Sequence, residues 1–379
     1  MRYIKPFLLI CLLIITLLCG CSNTESKHIK IAVLGDKESF YPTYEDGINR
    51  AVLDLNEEYG DMGYTFECVF YDDNNDYNTG MKFVDDITGD EDVTAVIASL
   101  DMEINKTSAR ICEENEKVFV VPYFLYDSVY TENNYNFLFS MCNSSEHVGM
   151  LLRRAAADSG LKRWAICSRD AAFENSEIKG FLSASNDGVT VVDSASVSDM
   201  NTHFDEVYAR WETLGVEGVI ILPHDGTGFE MVKKLREKNS TLIIGSDTSF
   251  DNSSIYYDTS VILHTKGVFL VEEFPIRTDF SDEEYEKFNE IIDVFVGDET
   301  GVISMWYVQG YNAVRMIGDT AVKCGSSTST DIAQRLHSEG YDGVLSTYRF
   351  KKNGALENMS DYYNVHNHDG TFERVYIND

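Results

Sequence analysis

Apolar positions along the chain follow two alternating rhythms. Short continuous runs, Lys30–Leu34, Tyr64–Tyr71, Thr94–Ile97 and Val118–Val121, read as buried strands. Between them apolar residues recur every three or four positions: Ile48, Ala51, Val52 and Leu55 within Tyr44–Tyr59, then Met81, Val84 and Ile87, then Ile104–Glu114. That spacing predicts amphipathic helices. A β-α-β-α-β series of this kind calls for a parallel sheet covered on both faces.

After Ser144 the series begins again. Helix Glu146–Asp158, strand Trp164–Cys167, helix Asn175–Ala184, strand Val189–Val192, helix Phe204–Leu214, strand Gly218–Leu222, helix Phe229–Glu237 and strand Leu242–Ile244 are expected in that order. Segments Asp282–Val296 and Tyr307–Lys323 read as helices without strands between them. The C-terminal stretch reads as strands Ser346–Phe350, Tyr362–His366 and Phe372–Ile377, broken by turns at 352–354 and 368–370.

A chain of 379 residues exceeds the size at which one core usually keeps growing. The expected fold class is therefore α/β, with two doubly wound, Rossmann-like lobes joined by three crossover segments. Residues 29–141, with 272–339 returning, would form the first lobe, and 142–271, with 340–379 returning, the second. Five prolines and no low-complexity stretch leave no flexible linker, so the crossings should be short and ordered.

The N-terminal end carries different information. Arg2 and Lys5 precede an apolar run from Phe7 to Leu18, and Leu18-Cys19-Gly20-Cys21 resembles a bacterial lipobox. The run is short of the roughly 18 to 20 residues a spanning helix needs, which argues against a plain transmembrane anchor. The expectation is a lipoprotein signal peptide over 1–20, lipidation of Cys21 and a polar tether over 21–28. The protein would then sit in the bacterial cell envelope, lipid-anchored on the extracytoplasmic face of a membrane.

The formal charge of −32 makes nucleic acid and anionic lipid surfaces poor partners. Beyond the leader, Cys68, Cys112, Cys142, Cys167 and Cys324 remain besides Cys21. An odd number without a C-x-x-C pair excludes a full disulfide framework and allows at most one or two bridges.

Several short motifs then acquire meaning through their order. They are 28–35 (His-Ile-Lys-Ile-Ala-Val-Leu-Gly), 45–51 (Glu-Asp-Gly-Ile-Asn-Arg-Ala), 71–76 (Tyr-Asp-Asp-Asn-Asn-Asp), 95–97 (Ala-Val-Ile) and 120–122 (Val-Val-Pro). Gly310-Tyr311-Asn312-Ala313-Val314, Tyr341-Asp342-Gly343 and Phe350-Lys351-Lys352-Asn353-Gly354 follow. In this order the chain resembles the type I periplasmic binding proteins, in the leucine, isoleucine and valine branch of the substrate-binding lipoproteins of ABC importers. The resemblance implies a two-lobed clamp that holds a small molecule between its lobes. The partner would be an ABC permease, or alternatively a membrane sensor such as a histidine kinase or chemoreceptor.

In that family, loops after the third and fourth strands hold an amino acid through small hydroxyl groups, and a carboxylate on the second lobe takes the ammonium. Here the corresponding loops read Leu100-Asp101-Met102-Glu103 and Pro122-Tyr123-Phe124-Leu125-Tyr126. Met102 and Leu125 stand where hydroxyl anchors are expected. Asp247 keeps the position of the ammonium-binding carboxylate, although it would serve equally as a loop acid or helix cap. Phe40 or Tyr41, Phe173 and His224 occupy matching rim positions, where packing and ligand contact are both open. Convergence of Asp101, Glu103 and Asp247 would favour a cationic or neutral ligand, because acids and aromatic faces attract ammonium groups.

Other constellations fail on chemistry. Asp72-Asp73-Asn74-Asn75-Asp76 has partial calcium-loop spacing, but Tyr77 replaces the turn glycine and Phe83 the final glutamate, so no metal is expected. His366 and His368 lack further ligands, and Gly226-Thr227-Gly228 is a lone G-x-G. No nucleophile elbow, H-E-x-x-H or P-loop occurs, so neither an enzyme nor a cofactor is expected.

Overall fold

The computed structural model describes residues 26–36, 42–123, 125–169, 171–183, 187–223, 227–247, 267–271, 305–357, 359, 361–366 and 372–377. The leader, Cys21 and the helix expected at 282–296 lie outside them. Among the described residues no helix is long and apolar enough to cross a membrane.

The first unit runs β1 (Lys27–Gly35), α1 (Pro42–Tyr59), β2 (Tyr64–Asp72), α2 (Tyr77–Gly89), β3 (Val93–Ile97), α3 (Met102–Glu114), β4 (Val118–Val121), α4 (Asp127–Glu132) and β5 (Leu138–Ser140). Its sheet has the order β2-β1-β3-β4-β5, with every pair parallel. Side chains alternate across a strand, and β1 shows why both faces must be covered. Ile29, Ile31 and Val33 enter one core and Ala32 and Leu34 the other, all fully buried.

The second unit runs α5 (Ser145–Asp158), β6 (Arg163–Ser168), α6 (Ala172–Ser183), β7 (Thr190–Ser196), α7 (Val197–Thr202), α8 (Phe204–Leu214), β8 (Gly218–Ile221), α9 (Thr227–Lys238), β9 (Ile243–Asp247) and β10 (Val268–Val271). The strands order as β14-β13-β10-β9-β8-β6-β7, parallel except where β13 (Tyr362–His366) meets β10 and β14 (Phe372–Tyr376) antiparallel. Along β8, Val219 and Ile221 face one core and Ile220 the other.

The helix α10 (Met305–Cys324) packs on α1, and α11 (Ser329–Glu339) follows it into the first unit's core through Ile332, Ala333 and Leu336. Two glycines allow the close approach of α1 and α10. A methyl group added at Gly47 would overlap the Tyr307 carbonyl, and one at Gly310 would stand 2.6 Å from the Tyr44 carbonyl oxygen. The second unit repeats the device: a methyl at Gly149 on α5 would overlap the Glu177 carbonyl, and one at Gly180 on α6 that of Glu146. Polar groups then seal the α1–α10 seam. Tyr311 donates to Asp54 at 2.9 Å, and Asp319 accepts from Tyr59 at 3.1 Å and Tyr341 at 3.0 Å.

Residues 341–356, expected with the second lobe, lie elsewhere. β11 (Tyr341–Asp342) and β12 (Thr347–Tyr348) pair with each other, and Tyr341, Tyr348, Phe350 and Leu356 pack in the first unit's core. The bond from Tyr341 to Asp319 explains this placement, because it ties the segment to the seam beneath it. Among the described residues after 340, β13 and β14 extend the second sheet. The five cysteines from Cys68 to Cys324 are all free thiols, so the one or two bridges left open do not form among them.

The crossing from one unit to the other is short. β5 ends at Ser140 and α5 begins at Ser145. Lobe membership changes within these few residues, and they are anchored on both sides. Met141 N–H donates to Val121 at 2.9 Å, Cys142 Sγ to the Pro122 carbonyl at 2.8 Å, and Ser144 accepts from His147 N–H as the cap of α5. Asp127, at the start of α4, reaches across and accepts the Glu146 N–H at 2.9 Å. A first-unit carboxylate thus satisfies an amide that the second unit's first helix leaves unpaired. Burial raises the Asp127 pKa, against the lowering effect of bonds from Glu146 N–H and Ser144.

Losing a helix cap costs about 1 kcal/mol. Asp127→Ala should therefore speed hydrogen exchange of the Glu146 amide about fivefold, measured by NMR, while Asp127→Asn, which keeps an acceptor oxygen, retains most of the protection. Equal exchange in wild type and the alanine variant would remove Asp127 from the crossing.

Candidate ligand site

The geometry of the crossing locates the site. β5 runs parallel to its sheet, so Ser140 lies at the sheet's carboxyl edge. In the second unit only residues 159–162 separate α5 from β6. A 14-residue helix spans about 21 Å and a six-residue strand about 20 Å, so α5 doubles back along the strand and its start lies at the carboxyl edge of β6. The carboxyl edges of the two sheets are therefore joined by the crossing. Within each edge, parallel sheets offer a crevice where strand order reverses, here between β1 and β3 and between β6 and β8.

In the first unit that edge is acidic and organised. Asp73, fully buried just after β2, accepts from Ser99 Oγ at 2.7 Å and from Asn75 N–H at 2.9 Å. Ser99, two residues past β3, is itself 1% exposed, and its carbonyl accepts from the buried Asn105 side chain at 2.6 Å. Burial raises the Asp73 pKa; the bonds from Ser99 and Asn75 oppose this, and the nearby charges of Asp36 and Asp101 add to it. Three carboxylates, following β1, β2 and β3 in turn, thus share one sheet edge.

Asp101 caps α3, its Oδ1 accepting from Glu103 N–H at 2.8 Å and Ile104 N–H at 2.9 Å. Met102 and Glu103 follow in the first turn, half-buried and exposed respectively. Glu103 accepts a hydrogen bond from Tyr126, whose pKa is pushed up to about 12 by burial first and then by that bond. Tyr123 and Leu125, each 3% exposed, sit inside: Tyr123 packs on Tyr44 and Trp306, with ring centres 5.1 and 4.9 Å away, and Leu125 in the core beneath α3. Phe40, Tyr41, Phe124 and His224 lie outside the described residues.

In the second unit Asp247 ends β9 fully buried, 3.4 Å from Ser246 Oγ, and Phe173 lies in the first turn of α6. Asp101 and Glu103 therefore share one helix start, whereas Asp247 belongs to the other sheet. A further pair was not anticipated from the sequence. Arg169, immediately after β6, bonds through Nε to Glu174 Oε1 at 2.8 Å, and its backbone N–H donates to Glu174 Oε2. Glu174 is fully buried.

Sequence reasoning also missed Asp73, Ser99, Tyr126 and Asp127. The signal for Asp73 was present in the run 72–76, where the acids serve the backbone: Asp72 accepts from Asn74 N–H and Asp76 caps α2 through Thr79 N–H. Among the described residues no group of three or more His, Cys, Asp or Glu could hold a metal ion. Burial makes Cys68, Cys112 and Cys167 poor nucleophiles, since it pushes the Cys167 thiol up to about 12 and raises the other two as well.

Removing the Ser99 hydroxyl would leave a buried carboxylate short of a donor, at a cost of about 1–3 kcal/mol. Because the folded-state pKa of Asp73 lies above its unfolded value, its contribution is full at low pH and is lost as pH rises through the folded pKa. Ser99→Ala should accordingly destabilise more at pH 7 than at pH 4 in urea titrations. Equal losses at both pH values would show that Asp73 does not depend on Ser99.

Comparison with known proteins agrees with this architecture. A family model described as periplasmic binding protein matches residues 28–369. An ABC transporter substrate-binding protein from Desulfitobacterium hafniense, solved in complex with Leu, superposes with a TM-score of 0.75 at 20% identity, covering 92% of this chain and 100% of that one. The leucine-binding protein LivK from Thermotoga maritima gives 0.68 at 17% identity, with 92% and 99% covered. A solute-binding protein from R. palustris, in complex with benzoate, gives 0.71 at 12% identity, with 92% and 96% covered. No curated protein matches the chain. With a parallel and a largely parallel sheet joined at their carboxyl edges and a family model that spans nearly all of it, the chain belongs to the periplasmic binding protein family and has the type I fold.

Proposed function

We propose that the protein is a lipid-anchored, extracytoplasmic solute-binding protein that captures a small amine, amino-acid-like or otherwise cationic or neutral, between its lobes for an ABC importer. The observation that carries this reading is the acidic edge of the first sheet, where Asp36, Asp73 and Asp101 stand close enough for the first and last to raise the pKa of Asp73. Like charges gathered at a crevice favour a ligand that brings positive charge. The family supports a binding rather than a catalytic role. Tyr126, hydrogen-bonded to Glu103 at the same edge, already carries an ammonium over its ring, that of Lys106 at 5.7 Å from the centroid.

The anchor follows from the N-terminal pattern at Leu18-Cys19-Gly20-Cys21. A tethered clamp stays at high effective concentration beside a membrane permease.

Isothermal titration with L-leucine, its amine analogue 3-methylbutylamine and its acid analogue 4-methylpentanoate tests the ligand class. Binding of L-leucine or the amine is expected, and binding of the acid alone would overturn the reading. For the anchor, Cys21→Ser expressed in a bacterial host should shift the protein from the membrane fraction to the soluble extracytoplasmic fraction; unchanged membrane association would exclude a lipid on Cys21.

A further inference from the structure

The chain enters the first lobe at a defined point. Lys27 opens β1 and pairs in parallel register with Tyr64 at the start of β2. Its backbone N–H donates to the Gly63 carbonyl at 2.9 Å, and its ammonium lies 5.1 Å from the centre of the Tyr64 ring. Every strand of this sheet is parallel, so Lys27 marks the amino edge and Gly35, at the other end of β1, the carboxyl edge. The crossing and the candidate site belong to the carboxyl edge. The nine residues of β1 set the two edges about 30 Å apart.

The reach of the anchor is shorter than that. Six residues take the chain from Cys21 to Lys27, and fully extended they span about 20 Å. If the carboxyl edge faced the bilayer, Lys27 would stand at least the length of β1 above it, about 30 Å, and Cys21 could not reach the lipid. With the amino edge towards the bilayer the same six residues suffice. Charge does not choose between the two ends, because exposed acids stand at both: Asp61, Glu91 and Asp92 at the amino edge, Asp76 and Glu103 at the carboxyl edge. The length of the tether decides.

We infer that the amino edge of the first sheet is the face this protein turns to the membrane, and that its cleft opens away from the lipid. The inference rests on the lipid-anchor reading above and extends it from attachment to posture. A membrane partner that takes up the ligand then has to meet the clamp on its flank, with a surface that rises to the level of the cleft, and not from beneath.

Fluorescence energy transfer measures this posture. The lipidated protein, purified from bacterial membranes, is reconstituted into phosphatidylcholine vesicles that carry an acceptor dye on a lipid headgroup. Cys68→Ala and Cys324→Ala remove the two half-buried thiols. A donor dye is then attached at one of two exposed positions: Met62→Cys, in the turn whose Gly63 holds Lys27, or Asn78→Cys, in the first turn of α2 beyond the carboxyl end of β2. Transfer from position 62 should be at least twice that from position 78. Equal transfer from both, or more from position 78, overturns the inference. Twenty Gly-Ser residues inserted after Ser22 make the tether long enough for either posture, so the difference should shrink. An undiminished difference would show that the tether does not set the posture, and the inference fails. Adding Cys21→Ser separates the two readings. If it leaves transfer from position 62 unchanged, or if neither position shows transfer with Cys21 present, the anchor reading fails and the posture with it. If it abolishes transfer while the two positions had been equal, the anchor stands and the posture alone fails.

Discussion

The short crossing between Ser140 and Ser145 is the constraint on which the rest of the structure depends. A parallel strand can leave its sheet only at the carboxyl edge, and a helix that must double back to start the next strand begins at that strand's carboxyl edge. With so few residues between them, the two edges are held close to each other. Loops after parallel strands are where a chain can vary without disturbing its core, because the strands behind them are buried on both faces. The same connection that joins the lobes therefore brings together the parts of each that are free to become a binding site.

The first unit's side of that junction is acidic. There stand buried or capping acids, each held by specific donors: Ser99 and Asn75 N–H on Asp73, and the α3 amides on Asp101. In the second unit two carboxylates are fully buried at the corresponding edge: Asp247 at the end of β9, and Glu174, which pairs with Arg169. The acids do not merely repel one another, because hydrogen bonds to the backbone offset part of the cost of gathering them. Charges arranged this way are preorganised, so a ligand need not order them on arrival.

The fold was legible because its signal is periodic. Continuous apolar strands such as Val118–Val121 and spaced apolar helices such as Phe204–Leu214 appear in the structure at the residues expected. What was missed is short or depends on distant partners. β5 has three residues and α4 six, too few to show a period. The placement of 341–356 turns on Tyr341 meeting Asp319, a contact 22 residues apart that no local pattern reveals. Within the site the limit is of another kind. Tyr123 and Leu125 fall in the loop after β4, and both pack inward, because a loop's register does not say which side chains turn to the core.

Asp101 shows how a residue can serve two ends of this argument. As a helix cap it is accounted for by local structure alone, since its Oδ1 takes two amides of the first turn. Its negative charge nevertheless remains at the strand edge, where it raises the pKa of Asp73 and of Tyr126. A cap could be served by serine, threonine or asparagine, all neutral. Aspartate at this position supplies the cap and adds charge to an edge already holding Asp73, at an electrostatic cost. A cationic ligand of the kind proposed would relieve that electrostatic cost and so couple binding to stability of the first lobe.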